Sequence, residues 1–284
     1  MSAMDLELPL PGPPATPGER LRWAVADGLT VARRNLAQIR QVPEKLLDVT
    51  IQPIMFVLLF AYVFGSAIKV PGGGNYRDYL MAGMFAQALF GTFGSTAVGF
   101  ADDMAKGLID RFRSLPMARS AMLVGRTLAD LAAAVLGLLV TAGVGLLIGW
   151  RPHDGVARML AAFALVLLFG FAMSWVGTYV GLIVRTPDTA QVVGFLIFLP
   201  FGFVSNAFVP TQGMPTVVRT FAEWNPLSAI VGACRQLFGS PGADLASGAW
   251  PMQHPIVASL VWSLLILAIF APLAIRRYRT AIAR

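Results

Sequence analysis

Six long apolar runs without a charged residue dominate the pattern of hydrophobic and polar positions along this chain. They are Val49–Ile68, Tyr79–Ala101, Leu131–Trp150, Met159–Val184, Thr189–Val209 and Pro255–Ile275. Each has about 20 residues or more, the length that an α-helix rising about 1.5 Å per residue needs to cross the hydrocarbon of a bilayer. Lipid offers the backbone no hydrogen-bond partners, which favours helices. The pattern therefore predicts an all-α integral membrane protein with six transmembrane helices.

A one-sided helical pattern precedes the first of these runs. Between Glu19 and Gln41, apolar residues recur at spacings of three and four, while the arginines lie on the other faces. Pro43 ends the pattern. We interpret residues 19–43 as an amphipathic helix at the membrane interface. An exposed helix that packs on nothing is the alternative. Residues 1–18 are rich in proline and glycine and predict a disordered tail.

A second amphipathic segment, Phe100–Arg119, follows the second run. Gly107 weakens its middle and Pro116 ends it. A charged pair one helical turn apart, Arg126 and Asp130, begins the third transmembrane helix. Side chains at this spacing are within pairing distance on a helix. We therefore expect the two to neutralise each other at the mouth of the membrane. A site for a proton or a substrate is the alternative.

The longest segment between two runs is Val209–His254. Two pieces of it, Thr216–Glu223 and Pro226–Phe238, have helical patterns but are too short to cross a bilayer. They predict re-entrant helices, which need protein or water around their backbone. A surface loop that is anchored at the interface by Trp224 and Trp250 is the alternative.

The formal net charge of +7 would suit a nucleic-acid partner, but the placement of the basic residues argues against one. If the six runs cross the membrane in alternation, 16 of the 22 Lys and Arg residues lie on the side of the two termini and 6 on the other. Cytoplasmic segments carry the excess of basic residues. Both termini are therefore expected in the cytoplasm, with a transmembrane domain over residues 44–276 and a basic cytoplasmic tail over residues 277–284.

No motif for covalent or metal-dependent chemistry is visible in the sequence. The three lysines lie outside any GxxxxGK[ST] phosphate loop, the two histidines lack carboxylates at zinc-site spacing, and no GxSxG occurs. The six runs also lack the charged residues that proton-coupled carriers commonly use. We therefore expect no catalytic residue, no bound cofactor and no metal site, and the energy for any active transport must come from elsewhere.

Small and aromatic residues recur inside the runs. Gly145 with Gly149, and Gly177 with Gly181, lie four residues apart, a spacing that lets helices approach closely. Whether the neighbouring helix belongs to the same chain or to a second copy stays open. Five side chains of the second and fifth runs are candidates to line a path for an apolar solute, with core or lipid-facing packing as the alternative: Met84, Phe85, Gln87, Phe90 and Phe201.

Three stretches of this sequence resemble the membrane subunit of ABC-2-type exporters, in the daunorubicin-resistance permease branch. They are QPIMFVLLFAYVFG in the first run, the segment from Tyr79 to Asp130, and EWNPLSAIVGACRQLFG in the long loop. The most specific part is GLIDRFRSLPMAR, which has glycine, alternating charges and proline in the family's order. The resemblance covers residues 19–275. It implies the ABC-2 permease fold, with an N-terminal interfacial helix, a cytoplasmic coupling segment and extracellular re-entrant helices.

The resemblance also implies partners. In this family two copies of the membrane subunit work with two separately encoded ATP-binding subunits, which would hold the ATP and Mg²⁺. The positions that match the surfaces in contact with the ATPase are Arg33, Arg34 and Gln38, together with Gly107, Asp110, Arg111, Arg113, Ser114 and Pro116. Arg111 and Arg113 also fit the simpler excess of positive charge in the cytoplasm. Asn225, Pro226 and Arg235 match the extracellular helices that would cap the exit.

The function expected from these features is export across the plasma membrane. The chain would be the non-catalytic permease subunit, surrounded by membrane lipids, that moves a hydrophobic or amphipathic small molecule such as a drug, an antibiotic or a lipid-like compound. Export of a lipid-linked glycan or polymer is the first alternative. A membrane-embedded enzyme that modifies lipids is the second, although no polar catalytic cluster is visible at membrane depth.

Overall fold

A computed structural model describes residues 51, 54–65, 68, 70, 73–107, 121–240 and 249–282 of this protein. All regular secondary structure in these ranges is helical, without a strand. The predicted tail at residues 1–18 and the predicted interfacial helix at residues 19–43 lie outside them. The helices, in chain order, are α1 (Ile54–Phe64), α2 (Tyr76–Phe90), α3 (Thr92–Ala105), α4 (Ala121–Leu147), α5 (Gly155–Ile183), α6 (Pro187–Phe203), α7 (Thr216–Trp224), α8 (Pro226–Phe238), α9 (Trp250–Gln253) and α10 (Pro255–Ile282).

Helix α5 is the centre of the bundle. It is apolar on all sides, as expected for a helix that other helices surround. It packs against α2, α3, α4, α8 and α10. Its fully buried residues include Phe169, whose ring stacks on Phe90 of α2 at 6.2 Å between ring centres. Helix α5 therefore contacts most of the long helices of the bundle.

Glycines allow α3 to approach α5 at backbone distance. A Cβ at Gly177 would overlap the carbonyl oxygen of Phe93, and a Cβ at Gly181 would lie 2.6 Å from that of Ala97. The neighbour of the Gly177–Gly181 pair is thus a helix of the same chain. Gly149 has another role: it follows the last turn of α4 with φ of +100°, a conformation that favours glycine at a helix end.

The spanning helices agree only in part with the six predicted runs. Three helical stretches of the described residues are long and apolar enough to cross a bilayer: Asp130–Leu147, Gly155–Ile183 and Pro255–Tyr278. The second predicted span is broken into α2 and α3 at Gly91. Next to the break, the Thr92 hydroxyl donates to the carbonyl oxygen of Leu89 at 2.7 Å. The fifth span is the 17-residue α6, which contains Pro200.

Large apolar side chains cover the outside of the bundle. The exposed ones include Leu139 on α4, Leu196 on α6 and Leu264 on α10. So much contiguous apolar surface would be costly in water, whereas lipid tails accommodate it. The helices and their exposed faces therefore indicate a multi-pass membrane protein.

The two ends of the bundle differ in the side chains that hold them together. At one end, α3 finishes and α4 begins near Arg126, which pairs with Asp103. At the opposite end, α2 begins, α4 finishes and α8 is buried, with Arg235 of α8 bonded to the carbonyl oxygen of Tyr79. We refer to them as the Arg126 end and the Arg235 end.

Candidate functional site

Charged side chains of α3 and α4 meet at the Arg126 end. Arg126 Nη1 donates to Asp103 Oδ2 in an ion pair, and its guanidinium carbon lies 5.2 Å from the centre of the Phe100 ring. Gly99 provides the room, because a Cβ there would overlap the guanidinium. The side chains of Arg126 and Asp103 are only 21% and 17% exposed. Limited solvent around the pair strengthens its attraction relative to a surface pair.

The structure corrects the predicted pairing of Arg126 with Asp130. The ion pair of Arg126 is with Asp103, and Asp130 Oδ2 accepts a hydrogen bond from the Thr96 hydroxyl at 2.8 Å. Both side chains leave α4 on the face that packs against α3, so each meets a polar partner across that contact. Two polar links therefore join α3 to α4.

Helix α3 ends before the predicted coupling segment. Its last residue is Ala105, and Gly107 follows with φ of +62°, a left-handed conformation that terminates helices. The predicted helical segment Phe100–Arg119 is therefore corrected: within the described residues, only its part up to Ala105 continues the helix. Beside this end, Lys106 Nζ donates to Asp102 Oδ2 at 2.6 Å, and this bond raises the pKa of Lys106.

Most of the residues predicted to contact an ATPase lie outside the described residues. Gly107 is described, and it forms the end of α3. The two polar links from α4 to α3 hold the chain on either side of the 13 residues between Gly107 and Ala121. The others lie outside: Arg33, Arg34, Gln38, Asp110, Arg111, Arg113, Ser114 and Pro116.

The predicted cap residues lie at the Arg235 end: Asn225 joins α7 to α8, and Pro226 and Arg235 are on α8. Asn225 is the N-cap of α8: its side-chain oxygen accepts from the Leu227 N–H at 2.9 Å, and Pro226 occupies the first helical position. The Asn225 amide nitrogen donates to the carbonyl oxygens of Phe201 at 2.7 Å and Val204 at 2.8 Å. One side chain therefore both starts α8 and binds the end of α6.

Arg235 is buried rather than displayed on a surface, with 4% of the residue exposed. Its Nη2 donates to the carbonyl oxygens of Asn206 at 2.8 Å and Ala207 at 3.2 Å. It also bonds the carbonyl oxygen of Tyr79 and lies 3.4 Å from the centre of the Tyr79 ring. The carbonyl dipoles and the ring face stabilise its charge.

The candidate path residues divide into two groups. Phe85 is fully buried in an aromatic cluster, with ring-centre distances of 5.3 Å to Trp150, 5.2 Å to Phe163 and 5.7 Å to Phe238. Met84 and Phe90 are also buried, each with 5% or less of the residue exposed. In this structure these three side chains form the core, which was the alternative interpretation from the sequence.

Gln87 and Phe201, the other two path residues, are half-buried where α2 faces α6. Gly202 gives Gln87 its room, since a Cβ there would lie 2.7 Å from Gln87 Nε2. Gln87 Oε1 is buried without a hydrogen-bond partner among the described residues. An amphipathic molecule that entered between α2 and α6 would find there an amide oxygen with a spare acceptor.

Several polar residues at the Arg126 end and the Arg235 end are not predicted from the sequence. Asp103 escaped because its partner lies 23 residues away, beyond any helical spacing. In the sequence, Tyr79 and Asn206 are simply parts of apolar runs, whereas in the structure the Tyr79 hydroxyl donates to the Asn206 carbonyl oxygen at 3.2 Å. Polar residues at the end of an apolar run were the available signal, because a helix end leaves carbonyls that need donors.

Comparisons with known proteins give a consistent result over most of the chain. The model of the ABC-2 type transporter family matches residues 28–238. The daunorubicin resistance ABC transporter permease protein DrrB1 of Streptomyces coeruleorubidus is 30% identical over 92% of this chain and 90% of its own. The probable doxorubicin resistance ABC transporter permease protein DrrC of Mycobacterium tuberculosis is 27% identical over 99% of this chain and 98% of its own. Nodulation protein J of Rhizobium leguminosarum bv. trifolii is 27% identical over 81% of this chain and 87% of its own.

Proposed function

Because this chain belongs to the ABC-2 type transporter family, we propose that it is the permease subunit of an exporter whose ATP is hydrolysed by a separate ABC subunit. Its proposed cargo is a hydrophobic or amphipathic small molecule. The observation that carries this proposal is the similarity to a daunorubicin resistance permease over 92% of the chain. Daunorubicin and doxorubicin, which the names of the relatives give, are therefore the first compounds to test.

Coupling to ATP hydrolysis is assigned to the Arg126 end. The two links from α4 to α3, Arg126 with Asp103 and Asp130 with Thr96, hold together the two helices that flank residues 108–120. A displacement of that segment by the ATP-binding subunit would then move α3 and α4 together. The proposed contact residues within it are Asp110, Arg111, Arg113, Ser114 and Pro116, with Arg33, Arg34 and Gln38 as a second surface.

Cargo is proposed to enter between α2 and α6, where Gln87 and Phe201 lie. Gln87 offers an unused acceptor there, and Phe201 offers a half-buried ring that lies 5.4 Å from the Phe221 ring of α7. An amphipathic molecule needs apolar area with a few polar groups. Because Met84, Phe85 and Phe90 are packed inside this chain, they would support such a path from behind rather than line it.

The proposed arrangement in the membrane places the Arg126 end and both termini in the cytoplasm and the Arg235 end outside. Six spans within residues 44–276, re-entrant helices α7 and α8, and a dimer of this chain with two ATP-binding subunits complete the proposal. The excess of basic residues on the side of the termini supports the orientation. The burial of α8, too short to span, supports a helix that enters the bundle and returns.

The test is drug accumulation in a sensitive bacterial host. Cells would express this chain, its cognate ABC ATP-binding subunit, or both, and intracellular daunorubicin and doxorubicin would be followed by their fluorescence. We expect lower accumulation only when both subunits are present. The matched control is the same pair with an ATP-binding subunit that cannot hydrolyse ATP.

Two results would overturn the proposal. Efflux by this chain in the absence of any ATP-binding subunit would contradict the proposal that a separate subunit hydrolyses the ATP for transport. Normal drug accumulation in cells with both subunits correctly inserted, together with export of a lipid-linked glycan, would replace the small-molecule cargo by the polymer alternative.

A further inference from the structure

The chain leaves α6 through a short irregular segment that packs inside the protein. Helix α6 ends at Phe203, and residues 204–209 have no regular helix before the next turn. Of these residues, 205–208 are buried. A buried backbone outside a helix must find donors for its carbonyl oxygens. We call this stretch the exit segment.

Side chains of α2 supply part of those donors. The Tyr76 hydroxyl donates to the carbonyl oxygen of Phe208, and the Tyr79 hydroxyl to that of Asn206, both at 3.2 Å. Gly83 brings the backbones of the two elements into contact, because a Cβ there would overlap the carbonyl oxygen of Ala207. The exit segment is therefore fitted against α2 without room for one additional carbon atom.

Arg235 of α8 joins the same two elements. Its fork reaches the carbonyl oxygens of Asn206 and Ala207 in the exit segment and that of Tyr79 in α2, at 2.8–3.3 Å. Among the residues that the structure describes, no carboxylate pairs with it. Because its guanidinium contacts only carbonyl oxygens and a ring, Arg235 links the backbones of α2 and the exit segment to α8. A lysine ammonium, a single point charge, cannot reproduce its fork.

We propose that Arg235 is a positioning residue that holds α2, the exit segment and α8 together as one unit, so that the end of α6 moves with the outer helices during transport. The transport part of this inference rests on the proposed export function. The structural part does not, because it follows from the contacts of Arg235 within this chain.

The structural part is tested by distances between spin labels in the complete transporter in lipid nanodiscs. The labels sit on cysteines introduced at Gln212, just after the exit segment, and Gln236 on α8, both exposed, in a Cys234→Ala background that removes the natural cysteine. We expect a narrow distance distribution in the parent, and a broad one in Arg235→Lys and Arg235→Met. A distribution that stays narrow in both variants would overturn the proposal.

A second pair of variants keeps the test decisive if the Arg235 variants fold poorly. Gly83→Ala forces the exit segment away from α2 while leaving Arg235 in place. Gly94→Ala is its control, since a Cβ there meets nothing within 4 Å. Broadening in Gly83→Ala but not in Gly94→Ala supports one packed unit. A distance distribution that is as narrow in Gly83→Ala as in Gly94→Ala contradicts it.

The transport part is tested by the amount of daunorubicin exported per ATP hydrolysed. The loss of charge-assisted hydrogen bonds of this kind changes the equilibrium between the packed and the loosened unit by about tenfold. We therefore expect Arg235→Lys to lower the daunorubicin exported per ATP by about tenfold while ATP turnover continues. A role in folding alone would lower export and turnover together. An unchanged ratio beside a broadened distance distribution would overturn the transport part. If the parent exports no daunorubicin, the export function fails, and the label distances still decide whether Arg235 holds the unit.

Discussion

At the scale of single residues, the shielded ion pair between Arg126 and Asp103 is the most informative contact of the Arg126 end. Neighbouring carboxylates on α3 provide an internal comparison. Asp103 pairs with Arg126 where both side chains are about four-fifths buried, whereas Asp102 pairs with Lys106 where the side chains are 41% and 63% exposed. Water and salt screen the second pair much more than the first. The two carboxylates should therefore differ in what they contribute to stability.

We predict that Asp103→Asn destabilises the protein and that Asp102→Asn does not. Removing the charge of Asp103 leaves Arg126 shielded from water without its ion-pair partner, which should lower the free energy of unfolding by about 2 kcal/mol. Thermal unfolding of the two variants in the same detergent measures the difference. Equal midpoints for Asp103→Asn and the parent would show that this ion pair contributes nothing.

The sequence predicts an ion pair of Arg126 with Asp130, whereas the structure pairs Arg126 with Asp103. The sequence did not predict this partner, because helical spacing relates only residues on one helix, and Asp103 lies on another. The same limit applies to Arg235, whose three carbonyl acceptors come from two distant segments. Side chains that join helices are determined by the packing of those helices.

At the scale of helices, close packing of α3 on α5 is the main contact of the bundle, and glycines make it possible. Gly177 faces the carbonyl oxygen of Phe93, and Gly181 faces that of Ala97. Small residues at such crossings let helices gain dispersion and polar contacts that lipid alone does not provide. Ridges of larger side chains would separate the two helices.

Gly177→Ala is predicted to weaken this crossing. The added methyl would overlap the Phe93 carbonyl, and overpacking of this kind costs about 1–3 kcal/mol. Gly143→Ala in α4 is the matched control, because a Cβ there meets nothing within 4 Å. Unfolding in detergent should show a loss for Gly177→Ala alone. A stability equal to that of the control would mean that α3 and α5 are not in backbone contact.

The runs of apolar residues predicted where helices occur better than how they are divided. Long uniform runs such as that of α5 became single helices, because nothing in them competes with the helical backbone. The second run was predicted as one span, but Gly91 and the Thr92 hydroxyl interrupt it. Within the described residues, the helix that follows stops at Ala105, and Gly107 adopts a left-handed conformation that periodicity does not reveal.

The segment between α3 and α4 should couple ATP hydrolysis to transport. We predict that the double variant Asp110→Ala, Arg111→Ala inserts into the membrane normally but exports little daunorubicin while the ATP-binding subunit continues to hydrolyse ATP. Parallel assays of efflux and ATP turnover measure this. Arg276→Ala serves as the control, since it removes a basic residue from the same predicted side at another place. Parental efflux by the double variant would exclude the segment from coupling.

At the scale of the whole molecule, the proposed orientation of the bundle rests on the distribution of basic residues. If the six predicted runs alternate across the membrane, most basic residues lie on the side of both chain termini, and the Arg126 end would lie on that side as well. The buried α8 and the exit segment lie at the other end, where cargo would leave. The functional assignments of the two ends depend on this orientation.

Cysteine labelling in intact cells tests the orientation. In a Cys234→Ala background, we predict that a cysteine introduced at Gly73 reacts with a membrane-impermeant maleimide from outside, while one introduced at Arg111 reacts only after the cells are opened. Gly73 is exposed beside the start of α2, at the Arg235 end. Labelling of the Arg111 position in intact cells, with protection of the Gly73 position, would show that the chain has the opposite orientation in the membrane.

The most direct test of the central claim is transport by proteoliposomes that contain the purified subunits. In the proposed transporter, this chain provides the passage while another polypeptide hydrolyses the ATP that drives transport. We predict ATP-dependent movement of daunorubicin against its gradient when both subunits are present, and neither movement nor ATP hydrolysis with this chain alone. ATP hydrolysis or uphill transport by the purified chain alone would contradict the account.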